Sequence, residues 1–212
     1  MVTQGGFTLL VVLVFLQRGL EQRFSDRNTA ALRQRGARDH TPRELSRTLL
    51  VLHMAWFAAM LLEVWAWGRP FQAPLGIAMV TAVLLAQALR YASMQALGVQ
   101  WTLGFFTMPE LGVVDRGVYR YCRHPSVFAV MVEMFALPLV HGAWLTSTVF
   151  GCVYTALLIR RTDLEEQALK QDTDYARLLM DRPRYLPVPP WLRRGNKQPE
   201  PPASRVERGR HP

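Results

Sequence analysis

Long apolar runs separated by arginine-rich segments limit the folds that are open to this chain. Leu49–Trp67 is a run of spanning length, and Leu75–Leu89 follows it after the short connection Gly68–Pro74. A helix needs about 20 mostly apolar residues to cross the hydrocarbon core of a bilayer. Because backbone N–H and C=O groups must be paired internally in lipid, such runs form helices there. The pattern therefore predicts an all-α integral membrane protein.

Three further apolar runs bring the predicted number of membrane helices to about five. The first lies near the N-terminus and can cross the bilayer when it is extended from Val2 to Leu20. The other two, Val127–Val140 and Ala143–Ile159, are short and are joined only by His141-Gly142. Two short runs with so small a connection are typical of an antiparallel helical hairpin.

These elements divide the chain into three predicted regions. Residues 1–91 hold the first three membrane helices and an arginine-rich loop at 17–47. Residues 92–190 hold the short membrane hairpin, at 126–159, together with most of the candidate functional residues. Residues 191–212 are basic and rich in proline, a composition that predicts a disordered tail.

The net charge of +9 carries information about orientation and partners. Membrane proteins keep arginine and lysine mainly in their cytoplasmic segments. This rule places the loop at 17–47, residues 90–125 and the chain after Arg160 in the cytoplasm, and it places the N-terminus outside. A basic surface also attracts anionic headgroups, and we expect membrane lipids rather than nucleic acid as partners.

The sequence lacks the motifs of familiar nucleotide and metal sites. It has no G-x-G-x-x-G after a strand, no P-loop, no H-E-x-x-H and no metal-like spacing of its two cysteines. We therefore expect no metal ion and no soluble nucleotide-binding fold.

Two polar clusters fall at the two ends of the predicted hairpin. One is Gly117-Val-Tyr-Arg-Tyr-Cys-Arg-His-Pro125, and the other is Arg161-Thr-Asp-Leu-Glu-Glu166. An antiparallel hairpin brings these ends together, so that residues far apart in sequence can share one site. Each cluster taken alone has a simpler interpretation. The first could be a headgroup anchor, and the second could be an exposed ion pair between residues four apart on a helix.

Glu133 lies in the middle of an apolar run, where a charge costs about 2.5–3.5 kcal/mol on insertion scales. It therefore needs a partner, a proton or a ligand. His53 and Glu63 in the second run raise the same question, and pairing between helices is the simplest answer for them. Glu63, near the outer end of its run, could instead reach water.

The spacing of the polar clusters matches the pattern of a known family. The matching positions are Gly117, Tyr119, Arg123-His124-Pro125-Ser126, Arg161, Glu165-Glu166, Leu169, Tyr175 and Arg184–Pro187. This arrangement resembles the isoprenylcysteine carboxyl methyltransferase family, whose members are membrane-embedded enzymes that use S-adenosylmethionine. The resemblance implies a cytoplasmic cofactor-binding region within residues 92–190.

Other residues resemble the bacterial branch of that family. They are Ser25–Asn28, Arg35-Gly36, His53, Glu63, Leu97-Gly98, Trp101, Glu133 and Leu137-Pro138. That branch includes enzymes that O-methylate long-chain alkylresorcinols and alkylpyrones. The resemblance thus implies an O-methyltransferase of the bacterial inner membrane with a lipophilic acceptor, a phenol being favoured. Carboxyl methylation of isoprenylcysteine and N-methylation of an amine lipid are the alternatives among enzymes. A membrane scaffold or small transporter component is the alternative without catalysis.

The resemblance also implies roles for individual residues. The cofactor would be held by Tyr119, by the His124-Pro125-Ser126 turn and by Glu165, with Leu111–Val114 lining its pocket. Arg161 would face the acceptor substrate.

The acceptor determines whether a base is needed. A carboxylate is ionised at pH 7, whereas a phenol with a pKa near 10, like that of tyrosine, is not. Glu133 and His124 are the candidate bases for a phenolic acceptor.

Val127 departs from the family pattern, which usually has an aromatic residue after His-Pro-Ser.

Overall fold

The computed structural model describes residues 2–189, which form helices connected by short irregular segments. The helices are α1 Val2–Gln34, α2 Arg43–Ala66, α3 Ala73–Leu97, α4 Pro125–Leu139, α5 Trp144–Asp172 and α6 Tyr175–Leu179. A two-residue strand β1, Arg38–Asp39, pairs antiparallel with β2, Phe106–Thr107. Single 3₁₀ turns lie at Gly98–Gln100, Pro109–Leu111 and Gly117–Arg120. The predicted tail at 191–212 lies outside the described residues.

Three of these helices are long and apolar enough to cross a membrane. The candidate spans are Thr3–Gln34, Arg43–Ala66 and Ala73–Gln100, and α4 is a shorter apolar helix. The chain is therefore an all-α membrane protein, as the sequence predicts. The count of five spans stays a prediction, because α4 has 15 residues and α5 continues from its apolar half into a polar half without a break.

The first helix is longer than the sequence predicts, and the loop assigned to 17–47 is wrong. Helix α1 continues to Gln34 and α2 begins at Arg43, so the connection is only residues 35–42. The polar half of α1 stays helical because its inward face is held by other segments. Asn28 donates its side-chain amide to the carbonyl of Trp101 at 2.7 Å, and the backbone N–H of Leu103 donates to Ser25 Oγ at 2.8 Å.

The charge pattern assigns the arginine-rich connections to one side of the membrane, and in the structure these connections meet at one end of the bundle. The β1–β2 pair joins the connection after α1 to the segment after α3. The end of α5 joins them through Asp172, which binds His40 Nε2 at 2.9 Å and Arg38 Nη1 at 3.1 Å. The two ends of the α4–α5 hairpin are therefore brought to these polar segments, as the hairpin argument predicts.

The opposite end of the bundle is held by Glu63, which is buried rather than directed to water. Its carboxylate accepts the backbone N–H of Leu145 at 3.1 Å and of Thr146 at 2.7 Å, which are N–H groups of the first turn of α5. Such N–H groups have no partner within their own helix, and a negative charge there is favourable. Arg69 Nη2, in the connection after α2, lies 2.9 Å from the same carboxylate, so Glu63 is paired within the protein.

The hairpin depends on close contact between α4 and α5. A Cβ atom added at Gly151 of α5 would overlap the ring of Phe135 in α4. Trp56 of α2 is fully buried and donates its indole N–H to the carbonyl of Met134 in α4 at 3.2 Å. The small residue and the indole together keep the hairpin against the longer helices.

We expect Gly151→Ala to lower the stability of the fold, because a Cβ atom does not fit against Phe135. Overpacking of this kind typically costs about 1–3 kcal/mol. Gly6→Ala in the exposed part of α1 is the matched control, since nothing lies within 4 Å of its added Cβ. Thermal unfolding of both variants in detergent measures the difference. Equal melting temperatures for Gly151→Ala and the wild-type protein would contradict the close approach of α4 and α5.

Candidate functional site

A cavity of about 730 Å³ lies between the helices. This volume is within the range of small-molecule sites, which is about 300–1,000 Å³. Part of its wall is apolar and comes from α1, α2, α4 and α5: Phe15, Leu49, Leu50, Met54, Val130 and Leu158. Polar and charged side chains from α1 to α6 and from the segment between α3 and α4 also contribute to the wall. The cavity thus suits a molecule with both an apolar and a polar part.

Most of the residues that the family pattern singles out are brought together at this cavity. Its wall includes Val114, Tyr119, His124, Ser126, Arg161 and Glu165. Among the described residues, Leu111, Pro125 and Glu133 do not line it. Leu111 is 36% exposed, whereas its neighbours Gly112 and Val113 are part of the wall. Pro125 is the first residue of α4 and is buried, so it sets the start of the helix rather than the surface of the cavity.

His124 is held in place by a carboxylate from the other end of the hairpin. Its Nε2 lies 3.0 Å from Oε1 of Glu166, and Tyr175 donates its hydroxyl to the same oxygen at 3.1 Å. Arg123 Nη1 lies 3.0 Å and Arg184 Nε 3.3 Å from that oxygen. Glu166, which sequence reasoning did not select as a site residue, therefore connects α5 to the start of α4 and to the chain after α6.

The chain after α6 is also bound through its backbone. The N–H groups of Arg123 and His124 donate to the carbonyls of Pro183 and Arg184, each at 2.9 Å. The N–H of Val188 donates to the carbonyl of Tyr121 at 3.3 Å. These contacts explain why the pattern at the end of the chain occurs together with the Arg-His-Pro motif.

The charge of Glu166 is set by its surroundings. Burial by itself would raise the pKa of this carboxyl, but the hydrogen bond from His124 and the charges of His124, Arg123 and Arg184 lower the pKa to about 2. Glu166 is therefore ionised at neutral pH. With Nε2 of His124 occupied by this carboxylate, the interpretation of His124 as a general base is weakened.

Tyr119 presents a protonated hydroxyl. It is buried, and both burial and the charge of Glu165 raise the pKa of its phenol above the usual value. A phenol that stays protonated can donate a hydrogen bond to a ligand but does not bring a second negative charge beside Glu165.

Arg161 and Glu165 both lie on the wall, one helical turn apart. Arg161 Nη2 donates to the carbonyl of Leu103 at 2.8 Å, and its guanidinium lies 4.6 Å from the ring centroid of Phe105. The distance from Arg161 Nη1 to Glu165 Oε2 is 3.9 Å, which is too long for a hydrogen bond. The carboxylate of Glu165 is thus able to accept hydrogen bonds from a ligand.

Glu133 has its partners inside the bundle, which weakens its interpretation as a catalytic base. Its carboxylate binds Arg18 of α1 and accepts a hydrogen bond from Gln87 of α3 at 3.2 Å. Arg18 also binds Glu21 at 2.6 Å, and Arg90 Nη2 lies 2.8 Å from Glu21. Sequence reasoning missed this network because it assigned Arg18 to a loop and Arg90 to the end of a membrane run.

We expect Glu166→Gln to destabilise the protein at neutral pH, by about 1.5–3 kcal/mol for lost hydrogen bonds to a charged group. The lowered pKa means that the ionised carboxylate stabilises the fold above its ordinary pKa of 4.5 and that this stabilisation is lost as the pH falls towards 2. The gap in melting temperature between wild type and variant should therefore shrink as the pH is lowered from 7 through this window. A gap that is absent at pH 7, or that grows on acidification, would contradict the assigned role of Glu166.

Comparison with known proteins adds an independent observation. The chain is 28% identical over 170 residues to the uncharacterized protein YpbQ of Bacillus subtilis (strain 168), covering 78% of this chain and 97% of the relative. It is 26% identical over 146 residues to an uncharacterized protein of Haemophilus influenzae (strain ATCC 51907 / DSM 11121 / KW20 / Rd), covering 68% of this chain and 84% of the relative. Residues 77–171, which include Tyr119, His124, Arg161 and Glu165, match the model of the isoprenylcysteine carboxyl methyltransferase (ICMT) family, and this match supports a membrane methyltransferase.

Proposed function

We propose that this protein is an S-adenosylmethionine-dependent O-methyltransferase whose acceptor is a lipophilic molecule with a hydroxyl group. The observation that carries the proposal is the single cavity shared by Tyr119, His124, Arg161 and Glu165 and by apolar residues of the membrane helices. Such a cavity can hold a polar cofactor and a lipid-tailed acceptor next to each other.

The residues at the polar part of the cavity fit the cofactor. S-adenosylmethionine supplies a methyl group carried on a positively charged sulfur. Glu165 can accept hydrogen bonds from hydroxyl or amino groups, because its contact with Arg161 is long. Tyr119 can donate a hydrogen bond, and Ser126 adds a hydroxyl at the start of α4. Residues 112–114 provide the adjoining wall.

The apolar part of the cavity fits the acceptor tail. Phe15, Leu50 and Met54 line the cavity and have well-exposed side chains. A lipid-tailed molecule can therefore enter sideways from the bilayer. Val127, where the family pattern usually has an aromatic residue, is also part of the wall, and its smaller side chain leaves more room there.

The low polarity of the site favours the reaction. A positive sulfur and a negative oxygen become neutral products, so charge disappears as the methyl group moves, and water would stabilise the reactants more than the products. Arg161 can attract and orient the acceptor oxygen, since its guanidinium is permanently charged. We place the polar end of the bundle in the cytoplasm of a bacterium, with the N-terminus outside, because the arginine-rich segments meet at that end.

Carboxyl methylation of an isoprenylcysteine is the second candidate. The guanidinium of Arg161 on the cavity wall favours it, because arginine binds carboxylates well. The two candidates share the cofactor site and differ only in the acceptor.

We expect Glu165→Gln to weaken S-adenosylmethionine binding about tenfold or more, since charge-assisted hydrogen bonds contribute about 1.5–3 kcal/mol. Titration calorimetry of the protein in detergent measures the affinity. Glu110→Gln is the matched control, because Glu110 is exposed and is not part of the described cavity wall. Equal affinities for wild type and Glu165→Gln would remove Glu165 from the cofactor site, and no binding by the wild-type protein would refute the methyltransferase proposal.

We expect a long-chain alkylresorcinol or alkylpyrone to be methylated faster than farnesylcysteine or an aminophospholipid. The measurement is transfer of a radiolabelled methyl group from S-adenosylmethionine to each acceptor in lipid vesicles. Preferential methylation of farnesylcysteine would establish the second candidate instead. Cofactor binding without transfer to any of the four acceptors would contradict the proposed acceptor class.

A further inference from the structure

His53 of α2 is a buried polar side chain on the cavity wall that has no hydrogen-bond partner. Only 9% of it is exposed, and neither Nδ1 nor Nε2 finds a partner among the described residues. Polar groups that are buried in proteins are nearly always hydrogen-bonded. An imidazole that faces a cavity with both nitrogens unsatisfied therefore points to a ligand that supplies the missing contact.

The two other buried histidines show the usual behaviour. His124 Nε2 contacts Glu166, and His141 Nε2 lies 3.2 Å from the hydroxyl of Thr3. His141 is packed against aromatic rings at the opposite end of the bundle and does not line the described cavity. His53 alone among these three combines a place on the wall with two unsatisfied ring nitrogens.

The described side chains around His53 hold its ring in place but provide no hydrogen-bond partner for its nitrogens. Ring centroids of Trp56, Phe57 and Tyr154 lie 5.2, 5.1 and 5.5 Å from that of His53. These aromatic contacts restrict how the imidazole can turn. Its position on the wall is therefore set by packing, and its nitrogens are left for the contents of the cavity.

The position of His53 is where the polar group of an acceptor would meet its tail. On α2 it is flanked by Leu49, Leu50 and Met54, which line the apolar part. Tyr154, which packs against His53, lies on the face of α5 that continues through Leu158 to Arg161, since these residues are four and three positions apart. His53 thus lies beside the apolar wall and next to the helix face that ends at Arg161.

We propose that His53 binds the hydroxyl group of the acceptor and takes its proton, an inference that rests on the function proposed above. A neutral imidazole has one nitrogen that accepts a hydrogen bond, which a hydroxyl can donate, and one N–H that donates. The residue therefore suits a hydroxylated, lipid-tailed acceptor. Glu133 is bound to Arg18 and His124 to Glu166, whereas both nitrogens of His53 lack a hydrogen-bond partner among the described residues.

The proposed reaction couples proton transfer to His53 with methyl transfer to the acceptor oxygen. The O–H bond of the acceptor breaks, its proton goes to a ring nitrogen of His53, and the electron pair stays on oxygen. That oxygen forms a bond to the methyl carbon while the bond from this carbon to the positively charged sulfur breaks, and the electron pair of that bond remains on sulfur. The imidazolium of His53 then gives its proton to water.

Two substitutions separate binding from proton transfer. His53→Phe keeps an aromatic ring against Trp56 and Tyr154 but removes both nitrogens, so we expect weaker binding of a long-chain alkylresorcinol and a fall in kcat of about 100-fold or more. His53→Gln can still accept a hydrogen bond but cannot act as the base, so we expect nearly normal alkylresorcinol affinity with a similarly low kcat. In both variants the affinity for S-adenosylmethionine should stay within twofold of the wild-type value.

A more acidic acceptor distinguishes a base from a packing residue. A ring-fluorinated alkylresorcinol releases its proton more easily, so the loss of kcat in His53→Phe should be smaller with it than with the parent compound. His141→Phe, which changes a buried histidine away from the cavity, is the matched control and should leave kcat within about twofold. A distorted fold would affect both acceptors alike and would also weaken cofactor binding.

Failure of this inference can be told apart from failure of the proposed function. A wild-type protein that does not bind S-adenosylmethionine refutes the methyltransferase proposal, while alkylresorcinol affinity, measured without cofactor, still tests His53. Equal alkylresorcinol affinity and equal kcat in wild type and His53→Phe would overturn the inference. So would a wild-type protein that binds the cofactor but not alkylresorcinol, or an equal loss of kcat with the parent and fluorinated acceptors.

Discussion

The structure depends on charges that neutralise one another inside the helix bundle. Arg18 binds Glu21 and Glu133, and Arg90 binds Glu21, so two cations and two anions are shared by α1, α3 and α4. A single charge at this depth would be costly, and removing one member would leave another without a partner. The network therefore fixes how the hairpin stands against the first and third helices. Because Arg18, Glu21 and Arg90 also line the cavity, the same contacts that hold the bundle together shape its interior.

A second set of charged groups connects separate segments at the polar end of the bundle. Glu166 gathers His124, Tyr175, Arg123 and Arg184 around one carboxylate oxygen, which ties α5 to the start of α4 and to the last described segment. The adjacent Glu165 lines the cavity, and its ion pair with Arg161, at 3.9 Å, is too long for a hydrogen bond. Two neighbouring glutamates thus have different environments, because consecutive residues on a helix point about 100° apart. One is used to build the site and the other is available to a ligand.

The sequence was informative where chemistry and spacing coincide. The two ends of the hairpin could be predicted to meet, because two short apolar runs with a two-residue connection must be antiparallel. Conversely, the extension of α1 to Gln34 could not be predicted, because the sequence of its polar half resembles that of a loop. The contacts with Trp101 and Leu103 that hold this half in place are visible only in the structure. The partner of Glu133 could not be predicted either, since Arg18 is distant in sequence and no local pattern connects the two residues.

The proposed role of His53 depends on how these networks bind the other ionisable groups around the cavity. In the described part of the wall, the carboxylate of Glu21 is bound by two arginines, and His124 is held by Glu166. Glu133, the acid nearest the centre of the hairpin, is bound by Arg18. A group whose charge already stabilises the fold is poorly suited to take the proton of the proposed hydroxylated acceptor. His53 is packed by aromatic rings, and neither of its ring nitrogens has a hydrogen-bond partner among the described residues, so it is not committed to either network of ion pairs.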